Sequence, residues 1–279
     1  MARFNTASIT MGTKTFVGKY FVCSPTEMTI NDVGTNYPSS WSGYGTNASF
    51  FIPNNNSGIM TAFHIKNNLH VRTQTQKNNA DKDNVTTRMD YMYYVEDLSG
   101  GTTVKTISTT RRVSNWISPS DLPPGYNYVW AIGGFDLMLQ DGTYTTSAAL
   151  KTALDNRFKQ TPNAFSGNIT DAGWLPGYNT STGRTLIGYR SQSEVVFGIF
   201  TGGTQASPSN SSGPTVFECH QLMKNYLGCQ RALLLDGGGS TQAKWKQGGS
   251  NKSYPTSSGR QVFCQIALTP TAASTVVWP

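Results

Sequence analysis

The 279-residue chain is predicted to be α+β: mostly antiparallel strands, with two main helices packed on the sheet. Three observations carry that expectation. Short apolar runs alternate with Gly, Pro, Asn and Ser turns along nearly the whole chain. Only two stretches place apolar residues at helical spacing. Neither a repeat nor a linker composition divides the sequence, so residues 1–279 are read as one domain.

The elements follow in order. The first 45 residues alternate weakly, as in Tyr20-Phe21-Val22, between glycines and prolines, and read as short strands and turns. Asn47–Ile52 is a strand ended by the turn Pro53–Gly58. Ile59–Lys66 and Leu69–Gln74 form a hairpin across Asn67-Asn68, a favourable turn pair. After the polar stretch Lys77–Asn84, Met89–Val95 pairs with Thr102–Ser108 through Gly100-Gly101. Tyr126–Ile132 is apolar, reaches Gly133-Gly134, and continues through Phe135–Leu139 to the turn Asp141-Gly142. Thr146–Phe158 is the first helix, rich in Ala and Leu and capped by Thr146 or Ser147. Asn163–Gly183 is a long loop carrying Trp174 and Tyr178, placed either to stack on a ligand or to pin the loop to the core. Arg184–Arg190 and Glu194–Thr201 pair over Ser191-Gln192-Ser193, and Gly202–Gly213 is a second polar loop. Thr215–Leu227 is the second helix: Thr215 and Glu218 form a capping box, and Gly228 ends it. Arg231–Leu235, Gln242–Trp245 and Val262–Leu268 complete the strands.

Composition narrows the function. Charged residues are 13% of the chain, the net charge is +7, and there are 27 Ser, 35 Thr, 21 Asn and 28 Gly. A polar, weakly charged surface excludes a coiled coil, and 11% aromatic residues exclude disorder. Arg111-Arg112 is the one adjacent pair of cations, so no nucleic-acid partner is expected; the mild positive bias suits a phosphate-bearing small molecule or glycan. No apolar run approaches the ~18 residues of a membrane span. The four cysteines lack CxxC spacing and His64, His70 and His220 are scattered, so no metal or other cofactor is expected.

Chemistry concentrates in Arg231–Thr241. An apolar strand delivers Asp236 to its end, and Gly237, Gly238 and Gly239 follow, able to turn backbone N–H groups toward a ligand. No Walker lysine follows, and a floppy hairpin turn is the competing reading. After Asp171 the chain has three carboxylates, Glu194, Glu218 and Asp236, and one of them stands at this turn. Arg184 opens a strand after the long loop, either as a phosphate or carboxylate clamp or as a surface cation.

Taken together, Arg184-Thr-Leu-Ile-Gly188, the helix ending at Gly228 and Ala232-Leu-Leu-Leu-Asp-Gly-Gly-Gly-Ser-Thr241 resemble the phosphodiester glycosidase family. Tyr44-Gly-Thr-Asn-Ala-Ser-Phe-Phe51 resembles that family's early Asn-Gly-x-Phe-Phe element, and Leu139-Gln-Asp-Gly142 its middle Asp-Gly turn. The resemblance spans Asn47–Trp245 and leaves residues 1–40 unplaced. It implies hydrolysis of a sugar–O–phosphate–O–R diester at the sugar carbon, releasing free sugar and a phosphomonoester. The implied substrate is a glycosyl phosphate or a phosphate-containing glycan such as teichoic acid. On this reading Asp236 steadies or attacks the sugar carbon, Arg184 and the Gly237–Ser240 amides hold the departing phosphate, and Ser240, Thr241, Thr185 and Asn47 bind substrate. Glu218 and Asp141 are candidates for a second carboxylate, against the simpler roles of helix cap and Asp-Gly turn. The alternatives are a non-catalytic binder of a phosphosugar or nucleotide-like ligand, or a phage virion protein that binds glycans. Met1–Tyr20 has no secretory apolar block, so a cytoplasmic or virion-associated setting is expected.

Overall fold

A computed structural model describes residues 1–34, 36–48, 64–71, 90–97, 104–111, 126–142, 144–159, 178–203, 212–255 and 260–279. Trp174, most of the loop before Gly183, the Lys77–Asn84 stretch, the Pro53–Gly58 turn, Gly100-Gly101 and residues 204–211 lie outside them. The chain starts with a hairpin of two long strands, β1 (Arg3–Met11) and β2 (Lys14–Cys23), where short strands were expected. The reason is position: β1 is the last strand of its sheet, so one side of it carries solvent-facing Thr and Ser rather than apolar residues.

Next come β3 (Met28–Asp32), β4 (Gly45–Asn47) and the hairpin of β5 (His64–Lys66) and β6 (Leu69–His70). That hairpin turns, as expected, at Asn67 and Asn68, both with positive φ (49° and 62°). β7 (Asp90–Asp97) pairs with β8 (Val104–Arg111) and with β9 (Tyr126–Asp136). Helix α1 (Ser147–Lys159) follows, with the Thr146 hydroxyl accepting from the Ala149 N–H at 3.2 Å. β10 (Arg184–Ser191) and β11 (Glu194–Gly202) are antiparallel. α2 (Val216–Gln221) carries the expected capping box but is shorter than expected: from Leu222 to Tyr226 it widens into a π turn, closed by Gly228 at φ +64°. β12 (Arg231–Leu234), β13 (Ala243–Gln247), β14 (Ser250–Tyr254), β15 (Cys264–Leu268) and α3 (Pro270–Thr275) complete the chain.

The strands form two antiparallel sheets. The larger runs β1-β2-β11-β10-β12-β9-β5-β6, with β7 and β8 attached beside β9; the smaller runs β14-β13-β4-β15-β3. Neighbours in one strand face opposite layers. On the larger sheet, Leu186, Val196, Phe200 and Leu234 pack beneath Leu150 and Leu154 of α1 and Val216 and Leu222 of α2. Their neighbours Ile187, Phe197 and Leu233 face Ile30, Trp245, Ile266 and Leu268 of the smaller sheet. Each such side chain, fully buried, stabilises by about 1.5–3 kcal/mol. β4 is wedged between β13 and β15 so closely that a Cβ on Gly45 would stand 1.9 Å from the Ile266 carbonyl oxygen.

Candidate active site

After Leu235 the chain leaves the larger sheet and, within seven residues, enters β13 of the smaller one. Asp236 stands at the start of this crossover, and Gly238–Ser240 make one 3-10 turn within it. Gly238 has φ +60°, the left-handed region that glycine enters freely. Gly239 presents an open surface, with the Arg260 side chain beyond it. The turn engages most of its own donors: the Gly238 N–H donates to Gly183 O (2.8 Å), Ser240 N–H to Gly237 O and Thr241 N–H to Gly238 O (both 3.1 Å). The Gly237 N–H is directed at the Asp236 carboxylate. Of the amides expected to hold the phosphate, those of Gly237, Gly238 and Ser240 are engaged within or beside the turn.

Asp236 is partly exposed, yet burial of its carboxyl pushes the pKa up to about 6. The Ser240 hydroxyl, the Arg260 guanidinium and the Gly237 N–H each pull it back down. Ser240, Thr241 and Gln242 are wholly buried, and Oγ, Oγ1 and Oε1 of the three find no hydrogen-bond partner of standard geometry among the described residues. Leaving such groups unpaired costs roughly 1–3 kcal/mol each, a cost that the contact with the Asp236 carboxylate offsets for Ser240.

Asn47, at the end of β4, clips the crossover in place. Its Nδ2 donates to Asp236 O (2.8 Å) and Ala48 O (3.0 Å), and its Oδ1 accepts from Thr185 Oγ1 (2.7 Å) and the Gln242 N–H (2.9 Å). An amide has two donors and two lone pairs, so Asn47 is saturated within the protein. Asn47 and Thr185 thus lie beside Asp236 and tie the crossover to both sheets.

Arg184, expected either as a phosphate or carboxylate clamp or as a surface cation, lies inside the protein. It is buried to 2% exposure, with Nε donating to Pro214 O (3.1 Å) and Nη2 to Thr180 O (2.8 Å). Its stem runs beneath Gly237, and its guanidinium ties the segment just before β10 to the segment just before α2. Arg184 sits across from Phe200, on the α2 side of the larger sheet, whereas Thr185 sits across from Ile199, on the side facing the smaller sheet.

Glu218 is a helix cap. It accepts from the Thr215 N–H (2.8 Å) and hydroxyl (2.9 Å), and Lys14 Nζ lies 2.9 Å from Oε1. Burial works against its ionisation, but the Thr215 and Lys14 contacts win and keep its pKa below the usual value. Asp141 belongs elsewhere. It pairs with Arg157 (3.1 Å), which also holds Asp90 (3.0 Å) and Asp136 (3.1 Å). Asp136 lies opposite Leu233 and Leu137 bonds to Ala232, so the chain reaches Asp141 past the start of β12, the end away from Asp236. Tyr178 pins its loop, donating its hydroxyl to Ser147 O (2.7 Å). Trp174 lies outside the described residues.

Two residues of this region were not anticipated, Gln242 and Arg260. Arg260 is exposed; its N–H donates to Gly239 O at 3.4 Å, and its carbonyl accepts from Gln242 Nε2. One signal was present: Arg260 is the last charged residue in the sequence, placed directly before a buried strand.

The chain is thus a two-sheet sandwich of the α+β class, with α1 and α2 on the outer face of the larger sheet and a carboxylate at the crossover between the sheets. The chain belongs to the phosphodiester glycosidase family, whose sequence model matches residues 42–269. The match extends beyond Asn47–Trp245 at both ends and takes in Arg260. Among solved structures, the catalytic domain of zebrafish N-acetylglucosamine-1-phosphodiester alpha-N-acetylglucosaminidase, auto-inhibited by its pro-peptide, has the same fold. The TM-score is 0.57 at 13% identity, over 96% of this chain and 82% of that one. A hypothetical protein from Synechocystis matches with a TM-score of 0.46 at 12% identity, over 96% of this chain and 62% of that one. No curated protein matches the sequence.

Proposed function

We propose that this protein hydrolyses glycosyl phosphodiesters at the sugar carbon. The bond between C1 and the bridging phosphate oxygen breaks, water supplies the new C1 hydroxyl, and the phosphate leaves as a monoester still carrying its R group. The observation that supports this most directly is Asp236, a poorly solvated carboxyl with a pKa near 6 at the crossover turn of a phosphodiester glycosidase family member. At pH 7 it is mostly ionised. A carboxylate short of solvent stabilises the positive charge that develops at C1, or bonds to it. With Glu218 and Asp141 engaged elsewhere, Asp236 carries this chemistry among the described residues of the site.

The leaving group asks little of a general acid, because a phosphomonoester has a second pKa near 6 and departs as an anion. Activity then follows the ionised form of Asp236, and kcat/KM rises with pH through a limb near 6. The zebrafish enzyme acts, by its name, on N-acetylglucosamine 1-phosphodiesters. Those compounds therefore head the test panel, with other glycosyl phosphodiesters, wall teichoic acid and nucleotide sugars beside them. The expected products are free reducing sugar and a phosphomonoester. Release of a sugar phosphate instead would place the cleavage on the other side of phosphorus and overturn the reading. Tight binding without any product would make the protein a binder.

A further inference from the structure

Arg260 is exposed, but it is not a loose surface charge. Its backbone is anchored on both sides, by its N–H to Gly239 O and by Gln242 Nε2 to its own carbonyl. Its side chain lies across Gly239: a Cβ built on that glycine would stand 3.8 Å from Nε and 4.0 Å from Cζ. The guanidinium acts on the Asp236 carboxylate, yet forms no ion pair among the described residues. Gln242, which holds the Arg260 carbonyl, is wholly buried, and its Oε1 has no hydrogen-bond partner among the described residues. Arg184 is the opposite case, a buried guanidinium bonded to main-chain carbonyls.

We infer that Arg260 grips the phosphate of the substrate and, in place of Arg184, sets the preference of the site for anionic over neutral glycosides. The inference rests on the reading of the site as a phosphodiester glycosidase. An arginine presents N–H donors in a fixed fork that fits two phosphate oxygens. As the C1–O bond breaks, the phosphate gains a second negative charge, so the contact strengthens toward the transition state. Asp236 then faces the carbon side of the breaking bond and Arg260 the phosphate side. Gly239 suits this arrangement because it leaves the space against the guanidinium clear.

The test compares Arg260→Gln, Arg260→Lys and Arg184→Gln on two substrates of one sugar, a glycosyl methyl phosphodiester and the uncharged 4-nitrophenyl glycoside. Arg260→Gln is expected to lower kcat/KM on the diester about 100-fold or more, and on the neutral glycoside less than about 10-fold, since a charge-assisted contact is lost from the anion alone. Arg260→Lys should fall between. Arg184→Gln should lower the melting temperature and depress both substrates together. Equal losses on both substrates with Arg260→Gln, or no loss on the diester, would overturn the assignment. If the wild type turns over neither substrate, calorimetric titration with glucose 1-phosphate decides separately. Binding by the wild type that Arg260→Gln abolishes keeps the phosphate assignment while the hydrolase reading falls. Equal binding by both proteins, or none by the wild type, overturns it.

Discussion

At Asp236 the raised pKa couples chemistry to stability. The unfolded carboxyl titrates near 3.8 and the folded one near 6, so between those values the native chain holds more protons and loses stability as the pH rises. Above pH 6 the full penalty applies, about 1–3 kcal/mol. Asp236→Asn removes the charge but keeps the shape. It is expected to abolish turnover, to melt higher than the wild type at pH 7, and to lose that advantage below about pH 4. Activity assays with thermal melts at both pH values check this, and wild-type rates in Asp236→Asn would sink the catalytic assignment. Glu218 makes the contrasting case. Glu218→Gln retains an acceptor for the Thr215 N–H and should keep near-normal activity. Glu218→Ala loses the carboxylate that accepts from the Thr215 N–H and hydroxyl, together with the Lys14 contact, and should cost about 1–2 kcal/mol of stability by denaturant titration.

Among the elements, the crossover turn separates two glycine requirements. Gly238→Ala forces alanine into the left-handed region with only an ordinary contact to Thr182 Oγ1 at 3.6 Å, so about 1–2 kcal/mol is lost from backbone strain. Gly239→Ala has no such strain, but its methyl lies against Arg260; it should melt like the wild type and lose activity. Equal melting of the two variants would contradict the distinction. Elements defined by neighbouring residues were legible in the sequence: the β10–β11 hairpin, the Asn67-Asn68 turn, and α2 with its Thr215–Glu218 box. β14, Ser-Asn-Lys-Ser-Tyr, was not, because it is a strand only through its pairing with β13. Asp236 and its glycines were legible as one continuous motif. Arg260 was not, since nothing local links it to Gly239. The engagement of Arg184 and Asn47 by internal partners was equally hidden, because a sequence names donors and acceptors without showing which are already paired.

For the whole molecule, the inter-sheet layer carries one conspicuous charge. Lys19 of β2 is buried at 5% exposure, with Nζ 5.3 Å from the centre of the Trp245 ring and 5.9 Å from that of Tyr254. Burial lowers its pKa from 10.5 to about 8. Below pH 8 both the folded and unfolded chains carry the proton and the penalty is complete. Between 8 and 10.5 the unfolded chain binds more protons, so stability rises with pH. The two ring contacts offset part of the cost. Lys19→Met should therefore stabilise the protein at pH 7 by about 1–3 kcal/mol, raising the melting point a few degrees, with the gain fading toward pH 10. A lower melting point at pH 7 would show that the charge stabilises this layer.

The Asn47 clip also has a consequence in time. Its four hydrogen bonds include partners 138, 189 and 195 residues away along the chain. Contacts of such separation close the longest loops and form late in folding. The β10–β11 hairpin and α2 depend on near neighbours, whereas the site around Asp236 waits until residues from three distant parts of the polypeptide have met. During refolding, secondary structure and most tryptophan burial should return before ligand binding does. A ribosome-bound chain that has not yet released Gln242 can hold much of the larger sheet and still have no working site.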